Sequence, residues 1–272
     1  MSDQQLSPAD LKAALARWAA ANARPAWRPT VATGGDHAVH SRFGGPPLLV
    51  PSEPSPTCTQ CDRTMQLMVQ LDLAALPTRE FGTGILQFFH CVGQRPNEAP
   101  DGKPDCYADG AWAAFSNEAS HVRVLPAPGL VVGDAPTDPK WSTVSIIGWE
   151  HYLDTPDAED HLAAGLQREY DYAAGTVTID CPAEGLHTTI AIDAIEVEEM
   201  SAASAGDKLG GWPRWVQGAE YPSCPTCGTQ MRLVTQVASN EHVKHMWGDG
   251  GIGHITQCPQ HLDVVAFGWA SG

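Results

Sequence analysis

The eight cysteines of this 272-residue chain are spaced in a way that favours metal binding. In the second half, Cys224 and Cys227 form a Cys-x-x-Cys pair. Cys258 follows this pair after 30 residues, and His261 stands three positions further on. Two short turns that deliver three thiols and one imidazole are typical of tetrahedral zinc. We therefore predict a zinc site formed by these four residues.

The first half carries the same pattern with one difference. Cys58 and Cys61 form the pair, and Cys91 matches the third cysteine of the second half. Gln94, however, stands where the second half has His261. We predict a second zinc site at Cys58, Cys61 and Cys91, and its fourth ligand must come from elsewhere in the chain.

Two residues are candidates for that fourth ligand. Cys106 is the better one, and His90 is the next. If either coordinates, the site is closed and structural; if neither does, the metal keeps an open water position, as catalytic zinc does. Cys181 has no counterpart in the other half, and we interpret it as a buried thiol.

The two cysteine sets belong to a longer internal repeat. Residues 41–47 (SRFGGPP) align with residues 207–213 (DKLGGWP) at an offset of 166, and the cysteine pairs keep that offset. Residues 81–84 (FGTG) align with residues 247–250 (WGDG) in the same register. A solenoid would repeat a shorter period three or more times, so we predict a two-fold internal duplication.

The segments around these cysteines are predicted to be mostly strands. In residues 65–73 every odd position is apolar and alternates with Gln66, Gln70 and Asp72, which predicts a strand with one buried face. Further strands are predicted at 85–91, 143–148, 176–180, 188–197, 231–237 and 264–269. Helices are predicted from Ser7 and from Thr155 to about Tyr170, because each begins with a capping residue followed by proline.

Together these patterns predict an α+β fold with two sheet-rich halves, zinc knuckles and a few helices. We assign residues 1–130 to the first repeat, with the N-terminal helix, and residues 131–272 to the second. The stretch 126–139, rich in proline and glycine, is the predicted boundary. With 26 glycines and 22 prolines, the composition also favours turns and short strands over long helices.

Charge and composition exclude several classes of function. Lys and Arg total 16 and Asp and Glu total 32, which gives a net charge of −16. Such a field repels phosphate backbones and anionic headgroups, so we expect neither nucleic acid nor membrane as a partner. The chain has no membrane-length apolar stretch and no signal-peptide pattern, which predicts a soluble cytoplasmic protein. Cysteines in a reducing cytoplasm favour metal binding over disulfides.

Catalytic motifs are absent from the sequence. It contains no His-Glu-x-x-His, no Gly-x-Ser-x-Gly, no P-loop and no dinucleotide fingerprint. His242 and His245 could form a pair with a catalytic role, but the segment around them shows no acidic partner pattern. Asp249 lies in a glycine-rich loop and is most simply a solvated turn residue. We assign no catalytic residue.

At these residues the sequence resembles a known family. Residues 42–47, 208–213 and 247–261 resemble the YwqG-like bacterial proteins of unknown function. That resemblance covers roughly residues 40 to 272 and implies an α+β duplication with immunity or toxin-binding roles. Residues 58–61 and 86–91 are also similar to the programmed-cell-death-protein-2-like zinc proteins. The second resemblance implies a dedicated chaperone of a strongly basic ribosomal protein.

The sequence thus predicts a zinc-stabilised acidic protein that binds a basic protein client as a chaperone, adaptor or toxin-neutralising factor. The alternative is a zinc hydrolase that uses an open metal site in the first half. A third hypothesis is a scaffold whose zinc ions only hold two sheet-rich halves. The oligomeric state and the identity of the partner do not follow from the sequence.

Overall fold

A computed structural model of the protein describes residues 8–34, 40–93, 119–136, 139–157, 160, 162–163, 165–192 and 203–271. It has one α-helix, α1 (Pro8–Ala21), within this part of the chain. The strands, in chain order, are β1 (Arg24–Thr33), β2 (Arg42–Phe43), β3 (Leu48–Leu49), β4 (Gln66–Asp72), β5 (Ile85–His90), β6 (Ser120–Leu125), β7 (Val131–Val132), β8 (Val144–Asp154), β9 (Gln167–Asp171), β10 (Thr176–Cys181), β11 (Leu186–Ala191), β12 (Lys208–Gly210), β13 (Arg232–Ala238), β14 (Ile252–Gln257) and β15 (Val265–Ala270).

The chain divides into two compact units. The larger unit contains Trp27–Glu150, Gly206–Leu209 and Tyr221–Gly272, and the smaller contains Met1–Ala26, His151–Ala205 and Gly210–Glu220. The predicted sheet-rich character is confirmed, since most of the described elements are strands. No helix in the described part of the chain is both long and apolar enough to cross a membrane.

A ten-stranded sheet forms most of the larger unit. Its strand order is β15-β14-β13-β12-β1-β8-β2-β4-β5-β6. The edge strands β15 and β6 also contact each other, so the sheet is curled and nearly closed. Two antiparallel hairpins, β4-β5 and β13-β14, lie on either side of its centre, and each has a register shift near its start.

Aromatic side chains fill the core of the larger unit. Phe88 of β5 stacks on Phe267 of β15 with ring centroids 4.0 Å apart, and it lies 6.1 Å from the ring of Trp247. All three side chains are buried. Because Phe88 belongs to one half of the sequence and its two partners to the other, each half needs the other to bury its apolar surface.

The prediction of a half-buried strand at residues 65–73 is right about the strand and wrong about its faces. Strand β4 is buried on both sides, including Gln66 and Gln70. The Gln70 side chain donates to the His40 carbonyl at 2.7 Å and accepts from the Leu48 amide at 2.9 Å. The polar face is therefore covered by the protein's own backbone, which satisfies the amide that water would otherwise solvate.

In the smaller unit, α1 packs against a three-stranded sheet with the order β11-β10-β9. The predicted N-terminal helix is confirmed by α1, while its proposed cap, Ser7, lies outside the described residues. Leu11, Leu15 and Trp18 are buried on one helix face against residues such as Ile179. This spacing of three and four positions is that of an amphipathic helix.

The predicted helix from Thr155 to Tyr170 is wrong. Its last residues belong to β9, where Tyr170 pairs with Val177 of β10. Before the strand, Asp160 accepts a hydrogen bond from the Leu162 amide at 2.9 Å in a local turn, and Gly165 has a φ of 85°. A left-handed residue at this point cannot continue a helix, and Asp residues cap turns as readily as helices.

The aromatic core generates a testable prediction. Phe88→Ala should lower the free energy of unfolding by about 3–5 kcal/mol, because the variant loses a fully buried ring and leaves a cavity. Val131→Ala is the control, since Val131 is 47% exposed, and it should change stability by no more than about 0.5 kcal/mol. Urea unfolding followed by tryptophan fluorescence measures both. Equal and small losses of unfolding free energy in the two variants would contradict the assignment of Phe88 to the core.

Candidate metal centres

The structure brings together the four predicted ligands of the second half. The Sγ atoms of Cys227 and Cys258 are 3.7 Å apart. The Nδ1 atom of His261 lies 3.7 Å from the sulfur of Cys224 and 3.7 Å from that of Cys258. Tetrahedral zinc with Zn–S bonds of about 2.3 Å places its sulfur ligands about 3.8 Å from one another. The four donor atoms therefore have the spacing of one tetrahedral metal site.

Two turns hold these donors in place. In the first turn the Gly228 amide donates to the Cys224 carbonyl at 2.8 Å, and Gly228 has a φ of 72°, which favours glycine. In the second turn the amides of Gln260 and His261 donate to the sulfur of Cys258, at 3.4 and 3.3 Å. Amide donors of this kind stabilise a thiolate, the form that binds metal.

Local hydrogen bonds and burial also shift the pKa values of the ligands in different directions. The side chain and backbone of Thr229 lower the pKa of Cys227 to about 6. Burial raises the pKa of Cys258, and the hydrogen bond with Cys227 raises the pKa of His261. Cys227 is thus ionised at neutral pH, and a metal ion would draw the remaining thiols into the thiolate form.

The first half has a matching cluster of three buried cysteines. The ligand atoms of Cys58, Cys61 and Cys91 all lie within 4.8 Å of one another. The sulfurs of Cys61 and Cys91 are 3.6 Å apart, again close to the tetrahedral spacing. The turn between the pair repeats that of the second half: the Asp62 amide donates to the Cys58 carbonyl at 2.8 Å, and Asp62 has a φ of 54°.

Only one of the two candidates for the fourth ligand of this cluster lies in the described part of the chain. Cys106, like Gln94, lies outside the described residues. His90 is described and does not join the three cysteines. Its Nδ1 atom is 2.8 Å from the hydroxyl of Ser120, and its ring lies 5.1 Å from that of Trp247. Burial lowers the pKa of His90 to about 3, so we interpret it as a neutral core residue.

The other cysteine and histidine predictions can also be located. Cys181 is buried in the smaller unit, as predicted, and burial raises its pKa. All seven cysteines in the described part of the chain are free thiols. His245 is mostly buried beside Trp247, with ring centroids 4.4 Å apart, and burial lowers its pKa to about 4.

The structure adds one cluster that the sequence analysis missed. Asp207, Glu241 and His242 place their carboxylate oxygens and imidazole nitrogen within 4.8 Å of one another. The Nδ1 atom of His242 is 2.6 Å from the Asp207 carboxylate. The expectation that His242 has no acidic partner is therefore wrong. The signal available in the sequence was Glu241, which directly precedes His242.

The chain belongs to a family described as a domain of unknown function (DUF1963), which it matches over residues 41–268. It also resembles the uncharacterized protein YpfL of Salmonella typhimurium, with 29% identity over 72 residues. That match covers 26% of this chain and 17% of the length of YpfL. The family match covers both cysteine clusters and the Asp207 cluster.

The ionisation of Cys227 gives a prediction for the metal-free protein in its folded state. At pH 7 iodoacetamide should modify exposed Cys227 before the other described cysteines, with a rate that reaches half its maximum near pH 6. Cys181 is the internal control, because it is buried and should stay unmodified. Mass spectrometry of tryptic peptides measures both sites, while circular dichroism checks the fold. A half-maximal rate near pH 8.5, that of an ordinary thiol, would contradict the assigned environment.

Proposed function

We propose that the protein is a zinc-stabilised binding protein that recognises a basic protein partner through an acidic and aromatic surface. The observation that carries the structural role of zinc is the donor set of the second cluster, three sulfurs and one nitrogen at tetrahedral spacing. A site with four protein ligands leaves no position for water or substrate, which is the arrangement of structural zinc. Free thiols of this kind suit a reducing compartment such as the cytoplasm.

The proposal includes an origin by internal duplication. In the first half, the Gln70 side chain donates to the His40 carbonyl at 2.7 Å; 166 residues later, Gln236 donates to the Gly206 carbonyl at 2.6 Å. The register shifts of the two hairpins have the same offset, between Leu67 and Val69 and between Leu233 and Thr235. Side-chain hydrogen bonds and bulges that recur at one offset support a two-fold duplication of the sequence.

The partner class follows from charge. The net charge of −16 favours basic proteins and raises the rate at which they meet the surface. Strand β9 offers a defined part of such a surface, because it lies at the edge of its sheet and its Glu169 and Asp171 are exposed. Tyr172 is 81% exposed and stacks on Tyr170, with ring centroids 5.7 Å apart and planes 10° apart.

Tyr170 and Tyr172 lie on one face of β9 and Glu169 and Asp171 on the other, so aromatic and acidic groups flank the edge of the strand and are suited to binding a cationic partner. Aromatic side chains supply contact area at low entropic cost, and they attract lysine and arginine through their ring faces. The neighbouring carboxylates supply attraction at longer range. We name the surface of Glu169, Tyr170, Asp171 and Tyr172 the β9 edge, and we assign the partner contact to it.

Zinc content tests the structural part of the proposal. Purified protein should carry two zinc ions per chain, and Cys224→Ala should carry one fewer, with a large loss of stability. Structural zinc contributes apparent binding energies of about 10–16 kcal/mol at neutral pH. Cys181→Ala, the matched control, should keep both ions. Elemental analysis by mass spectrometry and thermal unfolding measure the outcome, and an unchanged zinc content in Cys224→Ala would contradict the site.

The same measurement on Cys106→Ala separates the structural role from the hydrolase alternative. The alternative is favoured only by the three cysteines of the first cluster, to which a water could be the fourth ligand. Three thiolates neutralise the ion and weaken its action as a Lewis acid, which disfavours hydrolysis. Loss of one zinc ion from Cys106→Ala supports a closed site, whereas retention of both ions and of the fold supports an open one.

Partner capture tests the binding part. Tagged, zinc-loaded protein purified from its native host at low and moderate salt should retain a stoichiometric basic protein that is released as salt rises, because salt screens exposed charges. With that partner purified, Tyr172→Ala should weaken binding by about 30-fold, as expected for an aromatic anchor worth about 2 kcal/mol. Glu169→Lys should slow association several-fold.

Asp249→Lys is the matched control for Glu169→Lys, because it reverses one exposed carboxylate in the larger unit. It should affect association much less than Glu169→Lys does. Equal effects of the two substitutions on the association rate would show that the partner responds to the net charge of the protein and not to the β9 edge. An affinity independent of salt would contradict recognition of a basic partner.

A further inference from the structure

We infer that Asp207, Glu241 and His242 form a third metal site, for a divalent first-row ion bound through oxygen and nitrogen. The cluster shares no residue with the cysteine clusters and contains no sulfur donor. Its oxygen and nitrogen donors suit ions such as Mn²⁺, whereas the thiolate sets favour zinc. The inference is independent of the proposed function.

The donors converge from two elements of the larger unit. Asp207 directly precedes β12, and its Oδ1 atom accepts a hydrogen bond from the amide of Ala238, the last residue of β13. Glu241 and His242 lie in the turn that follows β13. The Glu241 carboxylate accepts from the Asp207 amide at 2.5 Å, which fixes it beside the first carboxylate.

The imidazole is held on its face as well as through its ring nitrogen. The ring of His242 stacks on that of Phe43, with centroids 4.8 Å apart and planes 13° apart. Its Nδ1 atom lies 2.6 Å from Asp207. Phe43 is itself buried in the core of the larger unit, so the imidazole rests on a rigid support. A site held in this way before a ligand arrives loses little entropy when it binds.

The charges of the cluster favour a cation. The Asp207 side chain is 1% exposed, so one carboxylate is almost fully removed from water. A second carboxylate, that of Glu241, stands next to it. Among the described residues, no lysine or arginine pairs with either group; His242 is the only ion-pair partner. Two carboxylates and one imidazolium carry a net charge of −1; once the imidazolium proton has left, the cluster carries −2, which a divalent ion would neutralise.

Coordination would replace a proton. In the metal-free state the proton shared between His242 and Asp207 occupies the position where a metal would lie. When the ion binds, that proton leaves to solvent, and His242 Nδ1, one Asp207 oxygen and one Glu241 oxygen become ligands. Two carboxylates and one imidazole suit ions such as Mn²⁺, and three protein ligands leave positions for water. Glu241 is exposed, so the open positions can reach solvent.

Titration with Mn²⁺ tests the site in the zinc-loaded full-length protein. Electron paramagnetic resonance of free Mn²⁺ should show one ion bound per chain in the wild type. Glu241→Gln and His242→Gln should each bind it at least about tenfold more weakly, because even the loss of a residue that only supports a metal ligand weakens binding by that much. Glu241 is the preferred position, because it is exposed and Gln keeps an acceptor for the Asp207 amide.

Asp249→Asn is the matched control. It also removes one exposed carboxylate and lies in a nearby stretch of the larger unit. It should leave Mn²⁺ affinity within about twofold of the wild type, while the zinc content and thermal unfolding of all variants stay unchanged. Failure of the wild type to bind Mn²⁺, or an equal loss in Asp249→Asn, would overturn the inference.

Discussion

In the two hairpins β4-β5 and β13-β14, the cysteines lie at the end opposite the connecting loop, where the chain enters the first strand and leaves the second. Cys58 and Cys61 precede β4 while Cys91 follows β5, so the three thiols bring together the two chain ends of one hairpin. The second hairpin has the same arrangement around β13 and β14. A metal at this position would close a loop of about 30 residues, which removes conformational freedom from the unfolded chain more than from the folded one.

This constraint matters because the hairpins are buried on both faces. On the inner face, Phe88 and Phe267 fill the curled sheet with aromatic rings. On the outer face, the side chain of Gln87 donates to the Leu48 carbonyl at 2.5 Å and to the Gln70 side chain at 2.8 Å. Strands with no face in water must satisfy most of their polar groups internally. Small errors in strand register would therefore leave several buried amides without partners at once.

The halves of the sequence also hold each other within the larger unit. The Arg232 guanidinium lies 2.9 Å from the Glu80 carboxylate, and the Gln257 side chain donates to the Phe81 carbonyl at 3.2 Å. Such contacts cross from one cysteine hairpin to the other. A metal that closes one hairpin would therefore also stabilise the segment of that hairpin that contacts the other hairpin.

Local patterns predicted much of this structure, and long-range contacts account for the remainder. The Cys-x-x-Cys turns and α1 depend on neighbouring residues, which the sequence displays directly. Burial of the second face of β4 depends on Leu48, more than 15 residues away, so alternation of polar residues gave the wrong exposure. The helix expected near Thr155 failed because capping residues serve turns and helices alike.

The Asp207 cluster was hidden for a related reason. Its carboxylate and the imidazole of His242 are 35 positions apart in the chain and meet only because β12 and β13 pair, with Lys208 opposite Gln236. Each Cys-x-x-Cys turn supplies two sulfur ligands at short spacing, so the sequence displays them directly. The oxygen and nitrogen ligands come from a residue that precedes β12 and from the turn that follows β13, so no short spacing joins all three. A protein of this architecture can therefore carry donor sets that the sequence displays together with a further donor set that only the folded sheet assembles.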